Sequence, residues 1–311
     1  MTKMLYDLLR KAFTLGIAGT VVMAGTSDRA ITDAVGAMER ELGLTISWHF
    51  NLETSIRRTF QVPTSHGLFG PAISPDGTAV AWSEQPVPYQ GEKLPFVTVE
   101  TVTEGKQAVS LEGRIALHAI GISSGGETIV TIARRLDGLQ SSPSELLVID
   151  RRSSAIVKDL TSYISEFQIG VNVEHISVSG LGTLVAVGTR QKMQVLEIRS
   201  GKTVFAGPGR FPQLSPDGKR LAFVDNDKLL VHSFESDTTS QVVKGTRVKG
   251  IGGWSPDGRF LLAGAWTKML ALEKRQIIVD VTKNEYAVIG KLGEGDYGSQ
   301  YSWVSTKFAT R

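Results

Sequence analysis

Ser215-Pro216-Asp217-Gly218, followed by Lys219-Arg220-Leu221-Ala222-Phe223, decides how this chain folds, because the same four residues return as Ser74-Pro75-Asp76-Gly77 and Ser255-Pro256-Asp257-Gly258. Each copy follows an apolar residue and runs into an apolar stretch, Thr78-Ala79-Val80-Ala81-Trp82 in the first and Arg259-Phe260-Leu261-Leu262-Ala263 in the third. Proline presets the first central position of a tight turn, aspartate suits the second, and glycine takes the positive φ that follows. Such a corner joins two antiparallel strands. Matching flanks make three unrelated turns a poor explanation, and a repeat the better one.

The step from Ser215 to Ser255 is 40 residues, the length of a four-stranded propeller blade. Weaker copies fill the earlier gap: Ile122-Ser123-Ser124-Gly125-Gly126 before Thr128-Ile129-Val130-Thr131-Ile132, and Val178-Ser179-Gly180-Leu181-Gly182 before Leu184-Val185-Ala186-Val187. The steps along the chain are then 49, 56, 36 and 40 residues. Downstream of the corners, strands such as Leu147-Val148-Ile149-Asp150 and Ile277-Ile278-Val279-Asp280 read as third strands, with short fourth strands after them. The expected fold is an all-β propeller with blades near 71–111, 115–160, 171–206, 210–243 and 248–290. A sixth blade closes the ring if 299–305 supplies its inner strand and 45–51 and 55–62 its outer strands, which removes open sheet edges. Seven blades is the alternative, should the N-terminal region contribute more.

The chain has 311 residues, 41% of them hydrophobic, enough for a packed core. It has no cysteine, which excludes disulfides, thiolate metal sites and a cysteine nucleophile. Most of the formal charge of +3 comes from Lys3, Arg10 and Lys11, and no basic run is interleaved with aromatics, so nucleic acid is not an expected partner. Those cations precede an apolar stretch, 12–25, that ends in small residues and resembles a secretory signal peptide. The stretch is short for a membrane span, so no stable span is expected after processing. The reading is therefore a leader at 1–25, a helical lead-in at 26–44 with Ile31, Val35, Met38 and Leu42 on one side, and the propeller at 45–311. The expected location is periplasmic or secreted, with cytoplasmic as the alternative.

An apolar residue, Ser-Pro-Asp-Gly, a small-apolar strand and then an apolar strand ending in aspartate resemble the WD-like repeat of TolB-type propellers, over about 71–290. The resemblance implies architecture more than activity, since the same repeat accompanies peptidases and many other bacterial proteins. TolB itself works in a periplasmic envelope complex and carries an α/β domain ahead of its propeller. Fewer than roughly 50 residues precede the first strand here, so that partner role is not carried over with the domain.

Several motifs invite catalytic readings. Gly121-Ile122-Ser123-Ser124-Gly125 fits a nucleophile elbow, but the repeat puts it on a hairpin corner rather than a strand-to-helix turn. Gly293-Glu294-Gly295-Asp296-Tyr297-Gly298 fits a nucleotide loop without room for the unit such a loop serves. His118 and His175 fall on innermost strands but at different offsets from their corners, and the remaining histidines, His49, His66 and His232, are scattered, so neither a metal nor a cofactor is expected. A propeller hydrolase or lactonase with its site at the channel mouth is the alternative function, and Glu174 and Asp296 are the acidic residues it would use. More informative are the loops between second and third strands, on the face opposite the corners. They span 84–94, 134–144 and 265–274 and carry Tyr89, Arg134, Arg135, Trp266, Met269 and Leu270. Aromatic, apolar and arginine side chains in protruding loops suit a protein partner, so the expected function is a non-catalytic interaction scaffold, in keeping with a bacterial envelope setting.

Overall fold

The computed structural model describes residues 20–22, 72–84, 96–135, 143–167, 173–266, 274–291 and 302–304. Five antiparallel sheets of four strands follow one another along the chain, each strand pairing with the next in sequence. Blade 1 contains Ala72–Ile73, Ala79–Glu84, Phe96–Thr101 and Gly105–Ser110. Blade 2 contains Arg114–Ile122, Thr128–Arg135, Glu145–Asp150 and Ile156–Asp159. Blade 3 contains His175–Val178, Leu184–Gly188, Lys192–Glu197 and Thr203–Pro208. Blade 4 contains Arg210–Leu214, Arg220–Asp225, Lys228–Ser233 and Thr238–Val242. Blade 5 contains Arg247–Trp254, Phe260–Trp266, Lys274–Asp280 and Glu285–Lys291. A further two-stranded sheet pairs Thr20–Val22 with Ser302–Val304, and the latter runs close to the first strands of blades 5 and 1.

The strand at Ser302–Val304 lies where an inner strand was expected, but its described partner comes from the apolar stretch read as a leader. The segments 45–51 and 55–62 expected beside it, the lead-in helix and the loop at 293–298 lie outside the described residues.

Strands buried on both faces read as continuous apolar runs, and their period of two divides the side chains between two neighbouring sheets. In blade 2, Ile129 and Ile149 pack toward blade 1 with Ala79, Val97 and Val99, whereas Val130, Ile132 and Val148 pack toward blade 3 with Val178, Val185 and Leu196. In the same way Met193, Val195 and Phe223 join blades 3 and 4, and Ala222, Val231, Leu261 and Ile277 join blades 4 and 5. Among the described residues the hydrophobic core is thus a series of four inter-blade layers, and burying each layer is what holds successive sheets together.

The repeated corner is chemistry shared by all five blades. Ser74, Ser123, Ser179, Ser215 and Ser255 are buried, and each Oγ accepts the backbone N–H five residues on, at 2.9–3.0 Å. The closing glycines Gly77, Gly126, Gly182, Gly218 and Gly258 all adopt φ of 67–74°. That conformation is costly for any residue with a Cβ, which accounts for the glycine surviving even in the degenerate copies. Asp76, Asp217 and Asp257 accept a hydrogen bond from their own corner serine and another from the N–H two residues on, so their carboxylates are committed to the turn.

Corners also bond to their neighbours. The amide of Gly125 donates to Asp76 Oδ2 (3.1 Å), that of Ser124 to the Gly180 carbonyl (3.0 Å), and that of Gly180 to the Pro216 carbonyl (2.9 Å). Proline has no N–H to extend the series, and the step from blade 4 to blade 5 is made by Arg220 Nη2 on the Gly258 carbonyl at 2.7 Å. The weak copies have therefore gained something by losing proline: Ser124 and Gly180 supply the amide donors that tie blades 2, 3 and 4 together.

Candidate functional site

Opposite the corners, each blade ends where its second strand stops and its first strand starts. Arg135 and Trp266 are the last residues of second strands in blades 2 and 5, and each lies opposite the arginine that begins the first strand, Arg114 in one case and Arg247 in the other. The two expected site residues thus occupy equivalent positions three blades apart on one face, without touching. Tyr89, Met269 and Leu270 lie outside the described residues, as do 85–95, 136–142 and 267–273 of their loops.

In blade 2 one carboxylate holds both Arg114 and Arg135. Glu145 accepts from Arg114 Nε and, at 3.4 Å, from Arg135 Nε, while Arg134 Nη2 donates to Ser144 Oγ at 3.3 Å. Arg134 is half-buried and Arg135 is 56% exposed. The neighbouring residues therefore place Arg135, rather than Arg134, at the solvent side of this blade.

Blades 4 and 5 carry a denser cluster that sequence reasoning did not identify. Asp227, in the turn between the second and third strands of blade 4, accepts from Arg210 Nη2 (2.9 Å), Arg247 Nη2 (2.8 Å) and Lys249 Nζ (2.6 Å). Burial pushes the Asp227 carboxyl up, and the bonds from Lys249 and Arg247 outweigh it, leaving the pKa below the ordinary aspartate value. Trp266 lies against both cations, 5.3 Å from the Arg247 guanidinium and 4.9 Å from Lys249 Nζ. Its indole Nε1 is shielded from solvent and finds no acceptor among the described residues.

Beside this cluster an open groove of about 450 Å³ lies between blades 3 and 4, lined by Arg190 and Gln191 on one side and Arg210 and residues 224–227 on the other, with Gly209 between them. Arg190 is 86% exposed and bonds Glu174 at 2.6 Å. Glu174, the described acidic residue of the hydrolase alternative, is thus engaged by an arginine, and Asp296 lies outside the described residues. His175 packs edge-on against Phe211, with ring centres 4.6 Å apart, and burial drives its pKa down to about 4 despite the nearby Glu174 charge. Of His118 only the backbone, within Arg114–Ile122, is described. Ser123, the elbow serine, is a corner serine followed by a single 3-10 turn, Ser124–Gly126, and then the strand Thr128–Arg135. Among the described residues no three His, Asp or Glu side chains converge as a metal site, and no helix is long and apolar enough to cross a membrane.

Five four-stranded meanders with shared corner chemistry and inter-blade cores define a β-propeller, and the fold is of the TolB type. TolB from Acinetobacter baumannii superposes with a TM-score of 0.51 at 15% identity, over 76% of this chain and 57% of the TolB chain. The putative TolB from Agrobacterium tumefaciens gives 0.49 at 14% identity, over 72% of this chain and 80% of that one. The nidogen/laminin complex gives 0.45 at 13%, over 70% and 77%. At 15% identity the likeness to the Acinetobacter protein is one of fold, and this chain spans less than two thirds of that protein's length. No family model matches the sequence, and no curated protein matches it.

Proposed function

We propose that this chain is a non-catalytic propeller scaffold that docks another protein on the face opposite its Ser-Pro-Asp-Gly corners. The observation that carries this reading is the unequal finish of the two faces. Corner carboxylates and amides are spent on turns and on bonds between blades, whereas the opposite face presents a tryptophan bracketed by cations and an open groove. Arginine and tryptophan anchors are what protein interfaces concentrate at their energetic centres. The proposed docking residues are Tyr89, Arg134, Arg135, Trp266, Met269 and Leu270.

Alanine at Tyr89, Arg135 or Trp266 is expected to lower recovery of the captured partner about tenfold, the loss of roughly 1.4 kcal/mol that a single anchor supplies. Arg199→Ala, on the exposed turn of the other face, should leave capture at the wild-type level. Quantitative proximity capture in the native host, with melting curves to show that each variant is folded, measures both. Unchanged capture by all three docking variants removes this face from the proposal.

The scaffold is proposed to have six blades, with Ser302–Val304 as the inner strand between blades 5 and 1; its closeness to the first strands of both supports that closure. It is further proposed to act in the periplasm or outside the cell, with 1–25 as an export leader. Cleavage after Ala24 would remove Thr20–Val22 and leave Ser302–Val304 to pair with another segment. N-terminal sequencing of the native protein should return a start near Gly25. An intact Met1 on soluble cytoplasmic material would overturn export.

A further inference from the structure

We infer that the groove between blades 3 and 4 receives an acidic segment of the partner, a carboxylate of which is clamped between Arg190 and Arg210. The inference rests on the docking face proposed above and specifies the chemistry of what docks there. Arg210 spends one N–H group, on Nη2, within the described residues, and its guanidinium lies 5.4 Å from the Phe211 ring, which holds the plane in place. A guanidinium offers five N–H donors in a fixed fork, so donors of Arg210 remain to meet a second carboxylate. Across the groove Arg190 uses Nε on Glu174 and presents the rest of its fork to solvent.

The floor between them suits a peptide. The Gly209 N–H at its base is already bonded to the Gln191 carbonyl at 2.9 Å, so a peptide backbone lies over it without stranding a donor. Behind the groove, three cations share the single carboxylate of Asp227, and Arg247 remains 63% exposed over Trp266. That excess of positive charge is fixed in place before binding, which lowers the ordering cost of receiving an anion. Asp225 on the groove wall argues for discrete carboxylates and against a continuous phosphate backbone, which would have to run past it.

Fluorescence anisotropy of a labelled hexaglutamate peptide with the full-length protein tests the inference. The expected result is binding that weakens as ionic strength rises, and an affinity about tenfold lower in the Arg190→Gln, Arg210→Gln double variant. Arg210→Gln leaves Asp227 bonded to Arg247 and Lys249, so the melting temperature should stay close to that of the parent. Arg199→Gln on the other face should bind like the parent. No peptide binding, equal binding by the double variant, or tighter binding of a single-stranded oligonucleotide would each overturn the inference. Absent peptide binding alongside partner capture that still depends on Arg135 and Trp266 would leave the docking face standing and remove only its acidic occupant.

Discussion

Gly180→Pro, which restores the second residue of the Ser-Pro-Asp-Gly pattern, should destabilise the protein by about 3 kcal/mol, against the usual effect of moving a repeat toward its consensus. Two losses combine. The amide that donates to the Pro216 carbonyl disappears, and a Cβ at this position would stand 2.4 Å from that same carbonyl oxygen and 2.8 Å from Ser124 Oγ. Backbone atoms cannot rotate away as a side-chain end can, so the corners of blades 3 and 4 must separate. The melting temperature should fall by roughly 6–12 °C. Gly180→Ala keeps the amide and the clash, and should fall between proline and wild type. Gly207→Ala meets only the Phe205 ring at an ordinary 3.6 Å, and should change stability by less than about 0.5 kcal/mol. If Gly180→Pro melts with the parent, the corner-to-corner bonds do not hold blades 3 and 4 together.

Acidification should destabilise the protein through His175. In the unfolded chain its imidazole titrates near 6.5, whereas in the fold burial against Phe211 holds it neutral down to about 4. Between those values the unfolded state binds the extra proton, so stability is complete above the unfolded pKa and declines as the pH falls from about 6.5 to 4. The loss from this group totals about 3 kcal/mol and stops growing below its folded pKa. Urea unfolding across that range, in parent and His175→Gln, isolates it. His232 is also shifted down by burial, with Asp237 opposing, so both proteins retain some acid sensitivity and the difference between them is the measured quantity. Parallel pH profiles for the two proteins would show that His175 carries no such linkage.

Much of the fold was legible because its determinants are local. A corner glycine at positive φ and a serine that caps the following strand act within six residues, so they recur as a pattern even when proline and aspartate are lost. Arg135 and Trp266 were legible for the same reason, as side chains at the mouths of loops placed by the repeat. Arg210 and Arg247 were not. They begin inner strands, as Arg114 does, yet they stand five and eight residues ahead of their corner serines, against nine for Arg114. Irregular register intervenes between Arg210 and Gln213, between Ala116 and Ile120, and twice along the first strand of blade 5. A bulge inserts a residue without changing the architecture, and counting from the corner then misses the equivalent position.

The sequence by itself determined a run of four-stranded blades, where their corners lie, and which strands are apolar, because turns and strand composition are set by neighbours along the chain. Tertiary structure alone decided the cluster at Asp227. Its cations come from the first strands of two blades, and what assembles them is a carboxylate whose pairing depends on distance through space. It also decided the meaning of the imperfect corners, since an amide at Ser124 or Gly180 matters only when the next blade offers it a carbonyl.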